Sequence, residues 1–349
     1  MSIPYFGLAQ LDLPSGSQKA SVTQTVGITD ITIKYSRPSV RAREIYGKLV
    51  PFGLNNLGFG TSKAAPWRAG ADENTTITFE HNVKVEGKNV SAGTYGLHLN
   101  VKDENSANLI LSTDKDAWGS YFYDSANDIL NTEISVKDIP HVETLTYVFD
   151  AVTPTTTTAS LKWEKKAFEF KIEVDVTDIV LKDIRAQFKG QKGFTRQNWE
   201  QAASFALNNN GDLDEALVWI NNALENNFYS LKTVNGLAIK AQILKKKGDL
   251  KGFSAAMDEA VTLATPIQIN RIGYMMITEK DYERAIKYFN LNIKNDPKNA
   301  NWYDSLGAAY KAKGDKKAAI KNYKKALSLN PSTRIKANSE KNLEELTGK

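Results

Sequence analysis

A chain of 349 residues that is 41% hydrophobic and 24% charged has material for about two domains and is too apolar to stay unfolded as a whole. No run reaches the roughly 18 consecutive apolar residues needed to cross a bilayer as a helix, and the absence of cysteine excludes disulfides, thiolate metal ligands, cysteine nucleophiles and a lipid-modified N-terminal cysteine. The net charge of +5 is unevenly held: residues 1–190 carry 20 Lys and Arg against 23 Asp and Glu, residues 191–349 carry 25 against 17. Much of the basic excess sits at residues 245–247 and at Lys311, Lys313, Lys316, Lys317, Lys321, Lys324 and Lys325. Spread around helices with no interleaved stacking aromatics, such lysines form a solvated face, so nucleic acid is not the favoured partner.

Along the chain, Met1–Gln10 (MSIPYFGLAQ) has Gly7 and Ala9 where a signal peptidase prefers small residues, but no basic start and no full apolar stretch. Residues 1–18 are expected to be a flexible N-terminus holding the trimmed tail of a signal peptide, which implies a periplasmic or secreted protein, with a cytoplasmic location left open. Short alternating runs then follow: ITDITIKYS from Ile28, TTITFEHNVKV from Thr75, TYGLHLNV from Thr94, NLILST from Asn108, TLTYVFDAV from Thr144, TTTTASLKWE from Thr155 and AFEFKIEVDV from Ala167. Period-two alternation with one apolar face predicts antiparallel sheet, and this number of strands predicts a β-sandwich or barrel over residues 19–177. Asp178–Lys189 reads as a helix within a connector over residues 178–196.

Polar density outside the strands is concentrated in Tyr35–Gly53 and Pro66–Ile77. These stretches contain Ser36-Arg37-Pro38 and Trp67-Arg68-Ala69-Gly70-Ala71; Ala92-Gly93-Thr94-Tyr95 and residues Asp114–Trp118 follow. In that order the motifs resemble a bacterial envelope family known only as a domain of unknown function, number 2911, over roughly Lys19–Thr177. Asp72 stands where that family more often has Asn. The resemblance implies no reaction, so chemistry has to come from side chains. Arg37, Arg43 and Arg68 can form a planar, bidentate anion site, with Trp67 as a stacking surface and Asp72 and Glu73 opposing them. Alternatively the arginines and acids pair with one another and pin two long loops, which is the favoured reading because ion pairs of that kind are common.

Catalytic templates are missing: there is no G-x-S-x-G elbow, no G-x-x-x-x-G-K-[ST] loop and no H-E-x-x-H pair. His81, His98 and His141 lack ligand-like spacing, so neither a metal nor a cofactor is implied. His98 shares a strand face with Thr94 and Asn100, opposite Tyr95, Leu97 and Leu99, and is expected to be a partly exposed surface histidine rather than a general base.

Beyond residue 196 the chain repeats. Turn pairs Gly211-Asp212, Gly248-Asp249, Lys280-Asp281 and Gly314-Asp315 are spaced by 37, 32 and 34 residues, and Ala223, Ala260, Asn292 and Ala326 each follow twelve residues after the first member. Pro266, Pro297 and Pro331 punctuate the units. The unit from Tyr303 to Pro331 has Leu306, Gly307 and Tyr310 in its first helix and Ala319, Tyr323 and Ala326 in its second. It resembles the tetratricopeptide repeat at nearly every signature position. The preceding unit keeps Gly273, Ala285 and Phe289 but has Lys280 at the turn and Asn292 at the second alanine. The expectation is four helical hairpins over residues 197–333 and a polar capping helix over 334–349, with the named aromatics in the core.

The resemblance implies a concave groove that holds an extended peptide or a partner helix. Carried over position by position, its lining is Asn198, Gln201, Phe205, Asn208, Asn235, Gln242, Lys245, Tyr274, Asn301 and Lys311. Amides dominate and suit backbone recognition, since each offers donor and acceptor. The expected function is therefore a non-catalytic, exported interaction or scaffold protein that binds a protein or peptide through the solenoid. The alternative is a ligand- or carbohydrate-binding domain, or a hydrolase, centred on Arg37, Trp67, Arg68 and Asp72.

Overall fold

The computed structural model describes residues 14–225 and 227–348, so most of the expected signal-peptide remnant, residues 1–13, lies outside the described residues. The chain divides into two compact units, residues 1–182 and 183–349.

The first unit is an antiparallel sheet of nine strands, β1 (Gln18–Val26), β2 (Thr29–Arg37), β3 (Thr76–Phe79), β4 (Val83–Val85), β5 (Lys88–Val90), β6 (Gly93–Val101), β7 (Ala107–Ser112), β8 (Asp128–Asp150) and β9 (Thr156–Val174), in the order β1-β2-β3-β6-β7-β8-β9-β4-β5. Alternation drives it: in β2 the side chains of Ile31, Ile33 and Tyr35 are buried while Asp30 and Lys34 face out. The 23-residue β8 pairs with β7 up to Ile134 and with β9 from Ser135 onward. Its register slips between Asp138 and Thr146, around Pro140, which has no N–H to give to a ladder. One strand thus serves both halves of a folded-over sheet. The two halves share one core, in which Ile33, Ile77 and Leu99 join Trp163, Phe168 and Ile172. This is the sandwich expected from the sequence. No ladder joins β1 to β5 among the described residues, so it does not close into a barrel.

Three strand expectations need correction. β1 was not anticipated, because QKASVTQTV is a largely polar edge that pairs only with β2. The runs TTTTASLKWE and AFEFKIEVDV form the single strand β9, bent at Glu164 where φ is +53°. The first half of β8 buries only Leu130 and Ile134 and so carries too little apolar signal to be read as a strand.

α1 (Val176–Gln187) spans the boundary between the units. The second unit then runs as α2 (Arg196–Asn208), α3 (Leu213–Leu224), α4 (Val234–Lys246), α5 (Leu250–Leu263), α6 (Pro266–Thr278), α7 (Tyr282–Asn295), α8 (Ala300–Lys313), α9 (Lys316–Leu327) and α10 (Thr333–Thr347). α2 to α9 are four antiparallel hairpins, each stacked on the next. The repeated turn has a capping role: Asp212, Asp249, Asp281 and Asp315 accept from backbone N–H groups at the starts of α3, α5, α7 and α9. The preceding residue turns left-handed at Gly248, Lys280 and Gly314, with φ of +86°, +60° and +89°. In the first hairpin that role falls one residue earlier, on Asn210 at +56°.

Close approach explains the small residues. Ala223, Ala260 and Ala326 are fully buried, and a Cβ on Gly307 would stand 2.9 Å from the ring of Tyr323. Phe289 and Tyr323 are core as expected, while Tyr310 is half-buried. Asn292, at an alanine position, is wholly buried and donates to the carbonyl of Pro266 at 2.8 Å, tying α7 to the start of α6. Pro266 itself opens α6 within a Thr265–Gln268 capping box. α10 closes the stack by placing Ser339 and Asn338 on the buried carboxylate of Asp304, at 2.5 and 2.9 Å.

Gly307→Ala is expected to cost about 1–3 kcal/mol by overpacking against Tyr323, and the double variant with Tyr323→Leu to lose less than the sum of the two singles. Urea unfolding of the four chains of this cycle measures the coupling; strict additivity would mean the helices are not held together by this contact.

Candidate functional site

Two places bring expected site residues together, one in each unit. In the helical unit, Asn198, Gln201 and Phe205 recur at helical spacing along α2 and line a cavity of about 400 Å³ with Ile184, Gln187 and Phe188. Phe188 is itself held by Trp199, whose ring stacks on it at 3.8 Å. Asn198 donates to the carbonyl of Lys192 at 2.8 Å, and Gln201 is exposed. Asn208, also exposed on α2, donates to Ser204.

The remaining expected groove residues are more engaged with their own fold. Asn235 reaches the carboxylate of Glu200 at 3.4 Å, and Gln242 meets the sulfur of Met275 at 3.4 Å. Lys245 is ion-paired with Glu279, so its amine ties α4 to α6. Lys311 likewise binds Glu345 and, at 2.7 Å, Asn342, tying α8 to the cap. Tyr274 keeps 39% of its surface exposed while its ring meets Phe289 edge-on at 5.4 Å. Asn301 is half-buried in the first turn of α8, where its backbone N–H is capped by Asn299. The buried Glu200, bonded to Arg196 at 2.5 Å and Thr233 at 2.9 Å, joins α2 to α4 and has no counterpart among the sequence-derived residues.

In the β unit the site is set by the long connection between β2 and β3, residues 38–75. It is stapled to the sheet by backbone bonds at both ends: Val40 N–H donates to Glu143 at 2.8 Å, and Trp67 and Leu99 exchange bonds of 2.9 and 2.8 Å. Arg41, Ala42, Ala69 and Asp72 all take positive φ within it. Asp72, at +56°, is of a residue type that tolerates the left-handed region, as Asn does. The result is a cavity of about 490 Å³ lined by Arg41, Arg43, Arg68, Trp67, Tyr121 and Trp163 among others.

The expected anion cluster is therefore divided. Arg43, Trp67 and Arg68 line the cavity; Arg37, Asp72, Glu73 and His98 do not. Arg37 is clipped to β8, donating to the Leu145 carbonyl at 3.0 Å and the Thr146 hydroxyl at 2.6 Å. Asp72 accepts from the Ser15 hydroxyl at 3.0 Å rather than from an arginine, and its backbone carbonyl takes a bond from Arg68. Glu73 pairs with Lys19 at 2.6 Å, and this bond holds its carboxyl below the usual range. The acids thus do not oppose the arginines. Sequence reasoning missed Arg41, Tyr121 and Trp163. Trp163 had a signal, as the inward neighbour of Leu161 in β9's alternation; Tyr121 had none.

His98 is not partly exposed but 2% exposed. Residues 113–127 cover its strand face, giving it Ser120 at 3.0 Å and the ring of Tyr123 at 5.7 Å. Burial first, then the charge of Arg68, press its pKa from 6.5 to about 4, with Asp114 opposing. A histidine depressed in the folded state contributes fully above the unfolded value and loses that contribution as pH falls from 6.5 toward 4. His98→Gln should flatten an acid-side stability loss of about 3 kcal/mol, and the His98 imidazole should stay neutral at pH 5.5 by NMR. A midpoint near 6.5 would contradict its burial.

No group of three or more acidic or histidine side chains suited to a metal occurs among the described residues, and no helix there is long and apolar enough to cross a membrane. Comparison with known proteins finds no curated protein that matches the chain. Among solved structures it is similar to MamA from Desulfovibrio magneticus RS-1, with 19% identity over 46% of this chain and 85% of that one, at a TM-score of 0.30. Another is YrrB, described as a TPR protein with an unusual peptide-binding site, with 16% identity over 47% and 84% and a TM-score of 0.32. A third is the C-terminal part of a TPR repeat-containing protein from Cytophaga hutchinsonii, with 17% identity over 49% and 78% and a TM-score of 0.33. Within the chain, residues 17–172 match the family described as a protein of unknown function (DUF2911), and residues 305–333 match the tetratricopeptide repeat.

Proposed function

We propose that this protein is a non-catalytic interaction protein that holds an extended peptide segment of a partner on the first-helix face of its solenoid. The observation that carries the reading is the cavity on α2, where the amides of Asn198 and Gln201 stand beside the apolar ring of Phe205 and the Phe188 side chain. The exposed Gln201 amide gives a peptide backbone both donor and acceptor, and the adjoining apolar wall takes a side chain. Stacked hairpins hold these groups on rigid helices, which lowers the ordering cost of binding. Lys245 and Lys311 belong to the scaffold in this reading, because their charges are already matched by Glu279 and Glu345.

The β-domain's resemblance to an envelope family supports a place for the protein in the bacterial envelope. Cell fractionation that recovers the chain wholly from the cytoplasm would overturn that part.

Selection of peptides from a random library on the full chain is expected to yield binders of about micromolar Kd. Gln201→Ala with Phe205→Ala should weaken them about tenfold, or ~1.4 kcal/mol, without changing the helical content. Failure to select any peptide, or binding indifferent to both substitutions, would refute the assignment to α2.

A further inference from the structure

We infer that the cavity beneath the β2–β3 connection binds a small organic anion, an oxyanion carried on a ring of about monosaccharide size. The reading stands apart from the solenoid and rests on charge, pre-organisation and room.

Charge comes first. Arg41, Arg43 and Arg68 line the cavity, and among the described residues no Asp or Glu does. Arg43 donates to two neutral acceptors, the carbonyls of Ser39 at 2.6 Å and Val40 at 3.1 Å. Arg68 donates to the backbone carbonyl of Asp72 and lies over the Tyr121 ring at 5.1 Å. The Arg41 guanidinium has no hydrogen bond or ion pair among the described residues; Glu143, outside the lining, accepts from the Arg41 backbone N–H at 2.9 Å and meets the guanidinium charge only through space. Elsewhere in the chain Arg196 meets Glu200 and Arg284 meets Asp281. Here three guanidiniums gather at one cavity whose described lining carries no carboxylate, and a guanidinium presents the fork that an oxyanion fits.

The fork of Arg68 is fixed before any ligand arrives. Gly119, at φ +66°, lies so close beneath the guanidinium that a Cβ there would collide with it. Arg43 is fixed by its two carbonyls. Groups already held in place lose little freedom on binding.

Room and surface decide what carries the anion. About 490 Å³ is within the range of small-ligand pockets and equals roughly 16 water volumes, far more than one bare oxyanion fills. The same cavity has an apolar surface in which Trp67 stacks on Trp163 at 5.8 Å and 21°. The buried Trp163 indole N–H meets no acceptor among the described residues. A ring with an oxyanion at one end uses wall and forks together.

Isothermal titration calorimetry of the full chain tests this with glucose 6-phosphate, glucuronate, inorganic phosphate and glucose. Binding of glucose 6-phosphate or glucuronate, weakened by added salt and at least about tenfold tighter than inorganic phosphate or glucose, is the expected result. The tighter of the two charged sugars tells phosphate from carboxylate as the recognised oxyanion. Arg41→Gln and Arg43→Gln should each weaken binding about tenfold; if Arg43→Gln disturbs the fold, Arg41→Gln, which removes no bond, still decides. Absence of binding by both charged sugars at about 10 mM would overturn the proposal. So would binding indifferent to Arg41→Gln, and inorganic phosphate binding as tightly as the sugars would overturn the ring.

Discussion

The two-way backbone pairing of Trp67 with Leu99 is the constraint on which the β unit's cavity depends. A long connection without regular structure has to satisfy its own N–H and C=O groups or stay in water. Here it borrows the sheet: Gly53 donates to Val101 and Trp67 pairs with Leu99 on β6, while Val40 pairs at its other end with Glu143 on β8. Because β6 and β8 belong to different stretches of a folded-over sheet, one loop is tied to both. Trp67 is thereby set against Trp163, and Arg68, its neighbour in sequence, lines the same cavity.

In the solenoid the governing constraint is different. A hairpin of two helices cannot bury its apolar face alone, so every unit needs the next. The contact that sets the spacing is a glycine or alanine under an aromatic ring, as Gly307 lies under Tyr323. Asp304 shows how the last unit ends: its buried carboxylate, with pKa raised chiefly by that burial, is satisfied by Ser339 and Asn338 of the polar cap.

Charge is also managed differently in the two units. Part of the solenoid's basic cluster is structural, with Lys245, Lys247, Lys311 and Lys313 each matched by a carboxylate from another helix. Such surface pairs contribute little energy individually, but they occupy amines that would otherwise attract polyanions. The β unit is net acidic by sequence, yet it gathers three arginines at one cavity whose lining, among the described residues, holds no acid. Net charge per domain therefore does not tell where cationic side chains gather. Placement within the fold decides it, since local potential depends on distance and solvent access rather than on totals.

The repeat was legible because its determinants are local. A cap, a left-handed turn and small residues at fixed intervals act within one hairpin, so Asp315, Gly314 and Ala326 announce themselves by spacing alone. Antiparallel strands with strong alternation, such as β2, were legible for the same reason. Strands held mainly by their neighbours' ladders, β1 and the first half of β8, were not. Arg37 and Arg43 look equivalent as residue types, but one is clipped to β8 and the other faces a cavity. His98 looked exposed because its strand partners are polar, until residues 113–127 fold across it. Sequence by itself determined the periodic elements and the supply of arginines, amides and aromatics. Only the tertiary structure decided which of them meet, because contacts between residues tens of positions apart depend on loop paths that no local pattern encodes.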